Sequence, residues 1–293
     1  MRRFWLLGSL MLLGSTLFSQ KVHIGVFGGL SAYQGDLVDR IFPKRVTNGA
    51  IGVTVNYELM EQFMVRGGFT YTIVGGADRF NSDDTLRARN LAFETKVAEF
   101  SLVGEYYFFN LYDQKFSPYL FAGLAVYHFN PYAFNGSKQK VFLKPLSTEG
   151  EGLPQYPDRK PYALTQPAIP FGGGVKYAIN DNLRVGLELG MRKLFTDYFD
   201  DVSTTYVDPN DLLAERGQLA VDMSYRGDEL PGGNPSYPSK GAQRGGSNHK
   251  DWYYFLGLHL TYRLGSGDAG GGGGRSYISG KKNKRYGCPR VPL

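Results

Sequence analysis

The sequence holds a single cysteine, Cys288, among 293 residues, with two tryptophans and four histidines. One cysteine excludes an internal disulfide and a cysteine-rich zinc site. Beyond residue 20 there is no run of ~18 apolar residues, so the body contains no transmembrane helix. Charge of one sign is also missing from the body. The net charge of +6 belongs to the two ends. Arg2 and Arg3 stand unopposed in 1–20, and Arg275, Lys281, Lys282, Lys284, Arg285 and Arg290 face only Asp268 in 265–293. The stretch between is close to neutral, which argues against a basic nucleic-acid-binding domain.

Aromatic residues and glycine are abundant. They comprise 21 Tyr, 20 Phe and 39 Gly. This mixture favours strands and tight turns over a helical bundle. Residues 1–20 read as a secretory signal: two arginines, an apolar run from Phe4 to Leu13, then small or polar residues with Ser19 before the cut. An N-terminal membrane anchor is the alternative, but the apolar core is short for one. The domain expectation is a signal peptide at 1–20, an outer-membrane barrel at 21–264, and a Gly-rich linker with a basic periplasmic tail at 265–293.

Period-2 alternation dominates the body. In 183–192, Leu183, Val185, Leu187, Leu189 and Met191 point one way, while Arg184, Gly186, Glu188, Gly190 and Arg192 point the other. Similar segments are expected at 21–33, 49–59, 63–75, 96–109, 117–129, 168–179 and 251–264, although the two faces of 117–129 resist assignment. Each is long enough for the ~9–11 residues a tilted strand needs to cross a bilayer. Long connections (34–48, 76–95, 130–167, 197–250) alternate with short ones (60–62, 110–116, 180–182). That alternation is the mark of an outer-membrane barrel. The fold expected is all-β: an eight-stranded antiparallel transmembrane barrel with long extracellular loops, short periplasmic turns, and both termini periplasmic. Lipid offers no hydrogen-bond partner, so the sheet must close on itself.

The inward rows then carry Glu58, Glu99, Glu105 and Glu188 with Arg66, Lys176, Arg184, Arg192 and Arg263. An eight-stranded barrel has room for side chains but not for an open channel, and buried charges must be paired. These nine residues are read as a structural charge network filling the lumen, with a transport role as the alternative. Tyr57, Tyr106, Phe108, Phe109, Tyr177, Trp252 and Tyr262 suit interfacial girdles, or are ordinary strand residues.

Catalytic and metal chemistry finds little support. His23 and His259 are expected to face the lumen, and His249 lies in a loop; no histidine pair has metal-ligand spacing. Asp197, Asp200, Asp201 and Asp208 could gather around calcium but lack the usual loop spacing. Ser203 could be paired with His249 or His259 in an outer-membrane hydrolase, yet no G-x-S-x-G elbow is present. Gly172, Gly173 and Gly174 lack the lysine of a phosphate loop and suit the close approach of a bulky lumen neighbour. No cofactor, catalytic residue or metal ligand is assigned. In the tail, Lys281, Lys282, Lys284 and Arg285 form a basic cluster that could dock on an acidic partner or membrane surface. Cys288 could form an intermolecular disulfide in an oxidising compartment.

Several strings are recognisable: GGLSAYQGD (28–36), RARNLAF (87–93), PLSTEGEG (145–152), YALTQPAIPFGGGVKY (162–177), RKLFTDYFDDVSTTYVD (192–208), GGSNHKDWYYF (245–255) and CPR (288–290). Together they resemble the PorG-like family, outer-membrane barrels of the type IX protein secretion system. In that family the position of Glu151 is more often Gln and that of Ala92 often Ser. The resemblance implies a non-enzymatic component, seated in outer-membrane lipid, that associates with a periplasmic ring of PorK-like and PorN-like subunits. It also implies that turns and tail contact the ring, with Cys288 as candidate tether, and that Tyr198, Phe199, Asp200 and Asp201 shape an extracellular rim. Two other functions stay open: an outer-membrane enzyme acting on lipid or peptide, for which Ser203, His249 and Asp201 would matter, and a surface adhesin or ligand-binding barrel.

Overall fold

A computed structural model of the protein describes residues 21–38, 47–246 and 250–264. The signal-like segment 1–20, His249, and the tail 265–293 with Lys281, Lys282, Lys284, Arg285 and Cys288 lie outside them.

Eight long strands form one closed antiparallel ring. They are β1 (Val22–Gln34), β2 (Asn48–Met60), β3 (Phe63–Ala77), β4 (Ala92–Tyr107), β5 (Phe116–His128), β8 (Thr165–Ala178), β9 (Leu183–Leu194) and β10 (Trp252–Arg263). Each pairs with its neighbour in chain order. The ring closes between the first strand and the last, from His23 opposite Arg263 to Gln34 opposite Trp252. Closure leaves no free edge, which is how a sheet satisfies its backbone in hydrocarbon. Each expected segment is a strand. The largest difference is at β4, which begins at Ala92, so β3 and β4 rise together as a hairpin from Ala77 opposite Ala92 down to Phe63 opposite Tyr106.

The alternation sorts side chains as the pleat requires. Ile51, Val53 and Val55, Phe100 and Leu102, Leu120 and Leu124, Leu187 and Leu189, and Leu258 and Leu260 face outward and exposed; Phe100 is 66% and Leu124 71% exposed. The opposite row is buried, with Glu99 and Glu105 at 0%. A soluble barrel would have to hide that apolar skin. Turned to lipid, it needs no cover, so the chain is a membrane-spanning barrel with its polar groups inside.

The fifth segment resolves into Tyr119, Phe121, Ala125 and Tyr127 inside and Leu120, Leu124 and Val126 outside. Both of its rows are apolar, so polarity alone could not separate them.

The short connections, 61–62, 108–115 and 179–182, lie at one end of the barrel, and the long ones at the other. The long ones are folded. The hairpin β6 (Tyr132–Phe134) and β7 (Lys140–Phe142) lies in the connection from β5 to β8, with Tyr132 opposite Glu94 of β4. Helix α1 (Asp84–Arg89) lies between β3 and β4, and α2 (Pro209–Arg216) and α3 (Gln218–Ser224) lie between β9 and β10. Together they make a cap over the barrel mouth. No helix among the described residues is long and apolar enough to cross a membrane.

Candidate functional site: a paired lumen beneath a sealed cap

The lumen network is built by parity along the strands. Glu105 of β4 receives Arg66 Nη1 of β3 at 3.0 Å and Lys176 Nζ of β8 at 2.8 Å. Glu188 of β9 takes Arg66 through two hydrogen bonds, of 2.6 and 3.1 Å, and accepts the Tyr119 hydroxyl at 2.6 Å. His259 Nε2 lies 3.4 Å from the same carboxylate. Higher up, Arg192 donates Nε and Nη2 to the two oxygens of Glu99, both at 3.1 Å. The guanidinium of Arg192 also stacks over Phe255. Toward the short-turn end Glu58 is half-buried, 3.9 Å from Arg184, and accepts the Tyr112 hydroxyl at 2.6 Å. Arg263 lies over the Tyr112 ring, 5.5 Å from its centroid. Glu105 is thus shared by Arg66 and Lys176, and Glu188 by Arg66 and His259.

Sequence reasoning missed the aromatic members. Tyr107 donates to Glu105 and Tyr253 to Glu99, beside the Tyr119 bond already described. Parity could have found them, since Tyr107 shares a face with Glu105 and Tyr253 with His259. Backbone room is supplied by β8. A Cβ on Gly174 would lie 2.9 Å from the Tyr119 ring, and one on Gly172 2.9 Å from Phe121. These glycines let two rings lie flat on the wall, the close approach expected of the triplet.

Above the lumen, Phe199 is fully buried at the meeting point of barrel and cap. Its ring lies 5.2 Å from Phe129, 5.6 Å from Tyr253, 5.9 Å from Tyr33 and 6.0 Å from Tyr127. This corrects the rim expected of Tyr198, Phe199, Asp200 and Asp201: Phe199 and both aspartates are interior, and Tyr198 is half-buried, stacked on Tyr162. An aromatic side chain in that string seals a core because removing its area from water outweighs its exposure at an edge.

Around this plug the loops are tied by buried polar groups. Arg244 Nη1 bonds Glu149 at 2.9 Å and the Asp201 carbonyl at 2.7 Å. Glu149 in turn accepts the backbone N–H groups of Ser203 and Thr204. Arg89 grips Asp78 through two bonds of 2.8 and 2.7 Å, and donates to the backbone carbonyls of Asp36 and Arg244. All four long connections are thereby joined.

The remaining carboxylates exceed the bases near them. Tyr33 lies 2.6 Å from Asp200 and 2.9 Å from Asp251. One hydroxyl carries one hydrogen, so satisfying both contacts requires a proton on one of the two carboxyls. Burial pushes both acids well above the usual carboxylate range, with repulsion from Asp251 on Asp200 and from Asp197 on Asp251 adding to it. Burial pushes Glu151 up to about 8, with Asp201 and Glu149 adding repulsion. Asp197 rises to about 6, again mainly through burial.

The calcium reading of the aspartates is not supported. Asp197 accepts from Ser203, Asp200 from Tyr33, and Asp201 from Thr148 and Tyr162. Asp208 caps α2 by accepting the Asn210 N–H. Nor do Ser203 and His259 meet in a dyad: Ser203 is buried in the cap against Asp197, while His259 belongs to the lumen cluster. Six of the strings that carried the resemblance contribute to this cap, supplying Tyr33, Asp36, Arg89, Glu149, Tyr162, Phe199 and Asp251.

Compared with known proteins, the chain matches at residues 2–145 a family described as a domain of unknown function, DUF6089. No curated protein matches it. Among solved structures it is similar to Neisserial surface protein A, at 8% identity and TM-score 0.42, covering 83% of this chain and 97% of that one. A major outer membrane protein from Thermus thermophilus gives 13%, 0.39, and 83% against 99%. Ail, the attachment invasion locus protein of Yersinia pestis, gives 11%, 0.38, and 83% against 99%. The strand register, not these distant likenesses, establishes the closed barrel that spans a membrane.

Proposed function

We propose that the protein is a non-enzymatic, non-conducting outer-membrane scaffold that works through its two ends, as an organising component of a protein-export assembly. The observation that carries this reading is the doubly closed interior. Ion-paired side chains fill the lumen, and Phe199 with the buried loop network seals the mouth. A filled barrel offers a solute no path, and the buried Ser203 and Asp201 offer a substrate no access. Binding surfaces remain.

The export role rests on the resemblance to PorG-like barrels. In this reading the short turns and the tail 265–293 face the periplasm. They meet ring subunits of PorK-like and PorN-like type through Lys281, Lys282, Lys284 and Arg285, with Cys288 as a covalent tether. The full chain should co-purify with ring subunits, and a chain lacking 275–293 should not, while its barrel still folds. Equal recovery with both chains would refute tail docking. Non-reducing electrophoresis should also show a high-mass band that Cys288→Ser loses.

The folded cap favours a second reading, a surface-binding barrel. It predicts that replacing exposed cap residues such as Leu213 and Leu219 abolishes function while tail deletion does not.

A further inference from the structure

The two rims of the apolar belt differ in chemistry. At the short-turn rim four outward strand positions are aromatic and exposed: Tyr106, Phe116, Tyr177 and Tyr262. No outward strand position there carries a lysine; Lys21 and Lys115 lie off the strands.

The cap-side rim carries lysines instead. Lys96 of β4 and Lys193 of β9 are exposed on the outward face. Each stands four residues beyond an exposed belt residue, Phe100 and Leu189 respectively. Four residues span roughly 13 Å along a strand, or ~10 Å of height once the strand tilt is allowed for. Each ammonium therefore stands on the cap side of its stretch of the apolar belt. Lys193 lies opposite Trp252 and Ile169, and Lys96 opposite Ile73, so each ammonium tops an apolar wall.

The hairpin adds a third lysine. Lys140 Nζ lies 3.5 Å from the ring centroid of Tyr132 and 4.8 Å from that of Phe142. The one strand acid beside them, Glu94, accepts the Tyr132 hydroxyl at 2.8 Å. None of Lys96, Lys140 and Lys193 makes an ion pair among the described residues.

We infer that Lys96, Lys140 and Lys193 form a collar that holds the phosphate groups of an anionic glycolipid in the leaflet on the cap side. The chemistry is specific to that source. Ammonium groups on the cap side of the belt attract phosphate, the exposed Phe142 ring and the half-buried Trp252 suit the sugar–lipid boundary, and the belt below takes the acyl chains. A soluble phosphate offers only the first of these contacts. The collar is independent of the export reading, since it needs only the barrel in a membrane.

The test uses the full chain in detergent and a glycolipid probe, an acylated glucosamine disaccharide with two phosphates. Binding is read by native mass spectrometry. Removing both phosphates should weaken binding on the order of a hundredfold, the effect expected of three lysines at an anionic surface. The triple variant Lys96→Ser, Lys140→Ser, Lys193→Ser should lose the same preference, while Lys21→Ser with Lys115→Ser keeps it. The deacylated phosphorylated disaccharide should bind far more weakly than the lipid. Heat-dependent electrophoretic mobility should confirm that each variant is folded. Equal binding of the phosphorylated and dephosphorylated lipids would overturn the proposal. So would a triple variant that retains the preference, or a deacylated sugar that binds as tightly as the lipid.

Discussion

The lumen and the cap are both polar interiors, yet they solve the problem of buried charge differently. In the lumen Glu105, Glu188 and Glu99 each meet a guanidinium or ammonium within 3.1 Å. In the cap, carboxyls outnumber the nearby bases, and Glu151, Asp200 and Asp251 are pushed up by burial and by neighbouring carboxylates. A barrel wall projects side chains at fixed intervals from neighbouring strands, so an acid and a base can be matched across it. Loops gather side chains without that repeat, and the cap holds protons where it lacks cations. The lumen is stabilised by opposite charges, while the cap adds neutral carboxyls, hydrogen bonds and stacked rings to its two buried pairs, Asp78–Arg89 and Glu149–Arg244.

The largest effect should come from breaking the lumen. Glu105→Leu leaves Arg66 with Glu188 alone and Lys176 without its carboxylate. Removing one partner of a buried pair costs about 3–5 kcal/mol. The midpoint of urea unfolding in lipid vesicles should fall for the whole barrel. An unchanged midpoint would mean the pairs carry no stability.

Phe199→Ala should cost a similar or smaller amount, about 3–5 kcal/mol for a buried aromatic, but locally. Hydrogen exchange should accelerate across the cap, from 195 to 246, and stay slow in β3 and β4. Acceleration throughout the barrel would deny that the cap is a separate layer.

A subtler contrast is in pH. Glu151 has a raised folded-state value, so the folded chain holds a proton that the unfolded chain has released. Its contribution to stability therefore falls as pH climbs from the ordinary carboxylate range through about 8. Glu151→Gln imitates the protonated form. The variant should match the native protein at pH values below about 4.5 and exceed it progressively in cap protection as pH rises through about 8. Equal loss of protection in both proteins between pH 6 and 9 would contradict a proton held at Glu151. Least of all should come from Lys240→Ala: its contact with Asp211 is 3.9 Å long and exposed, and solvent screens such pairs. No measurable shift in unfolding is expected.

The same contrast explains what could be read in the sequence. The lumen charges Arg66, Glu99, Glu105, Lys176, Glu188 and Arg192 sit at alternating strand positions, so period alone placed them inside. The rows of β5 were not legible because Tyr119 and Leu120 are both bulky and apolar. Nothing in the spacing of Asp78 and Arg89, or of Glu149 and Arg244, announces that they meet. Those pairs depend on how four loops cross, a property of tertiary packing rather than of any repeat. Phe199 misled for the same reason. The resemblance implied a rim there, but the loop turns Phe199 down onto Tyr253 and buries Asp197, Asp200 and Asp201 around it.

The central claim is that one face of each strand meets hydrocarbon and the other meets the salted lumen. Carbene-generating lipid probes in vesicles holding the native protein, with labelled residues located by mass spectrometry, test it most directly. Ile51, Phe100, Leu124, Leu187 and Leu258 should be labelled, and Glu105, Lys176 and Glu188 spared, although carboxylates capture carbenes readily. Labelling of Glu188 with Leu187 untouched would contradict the account.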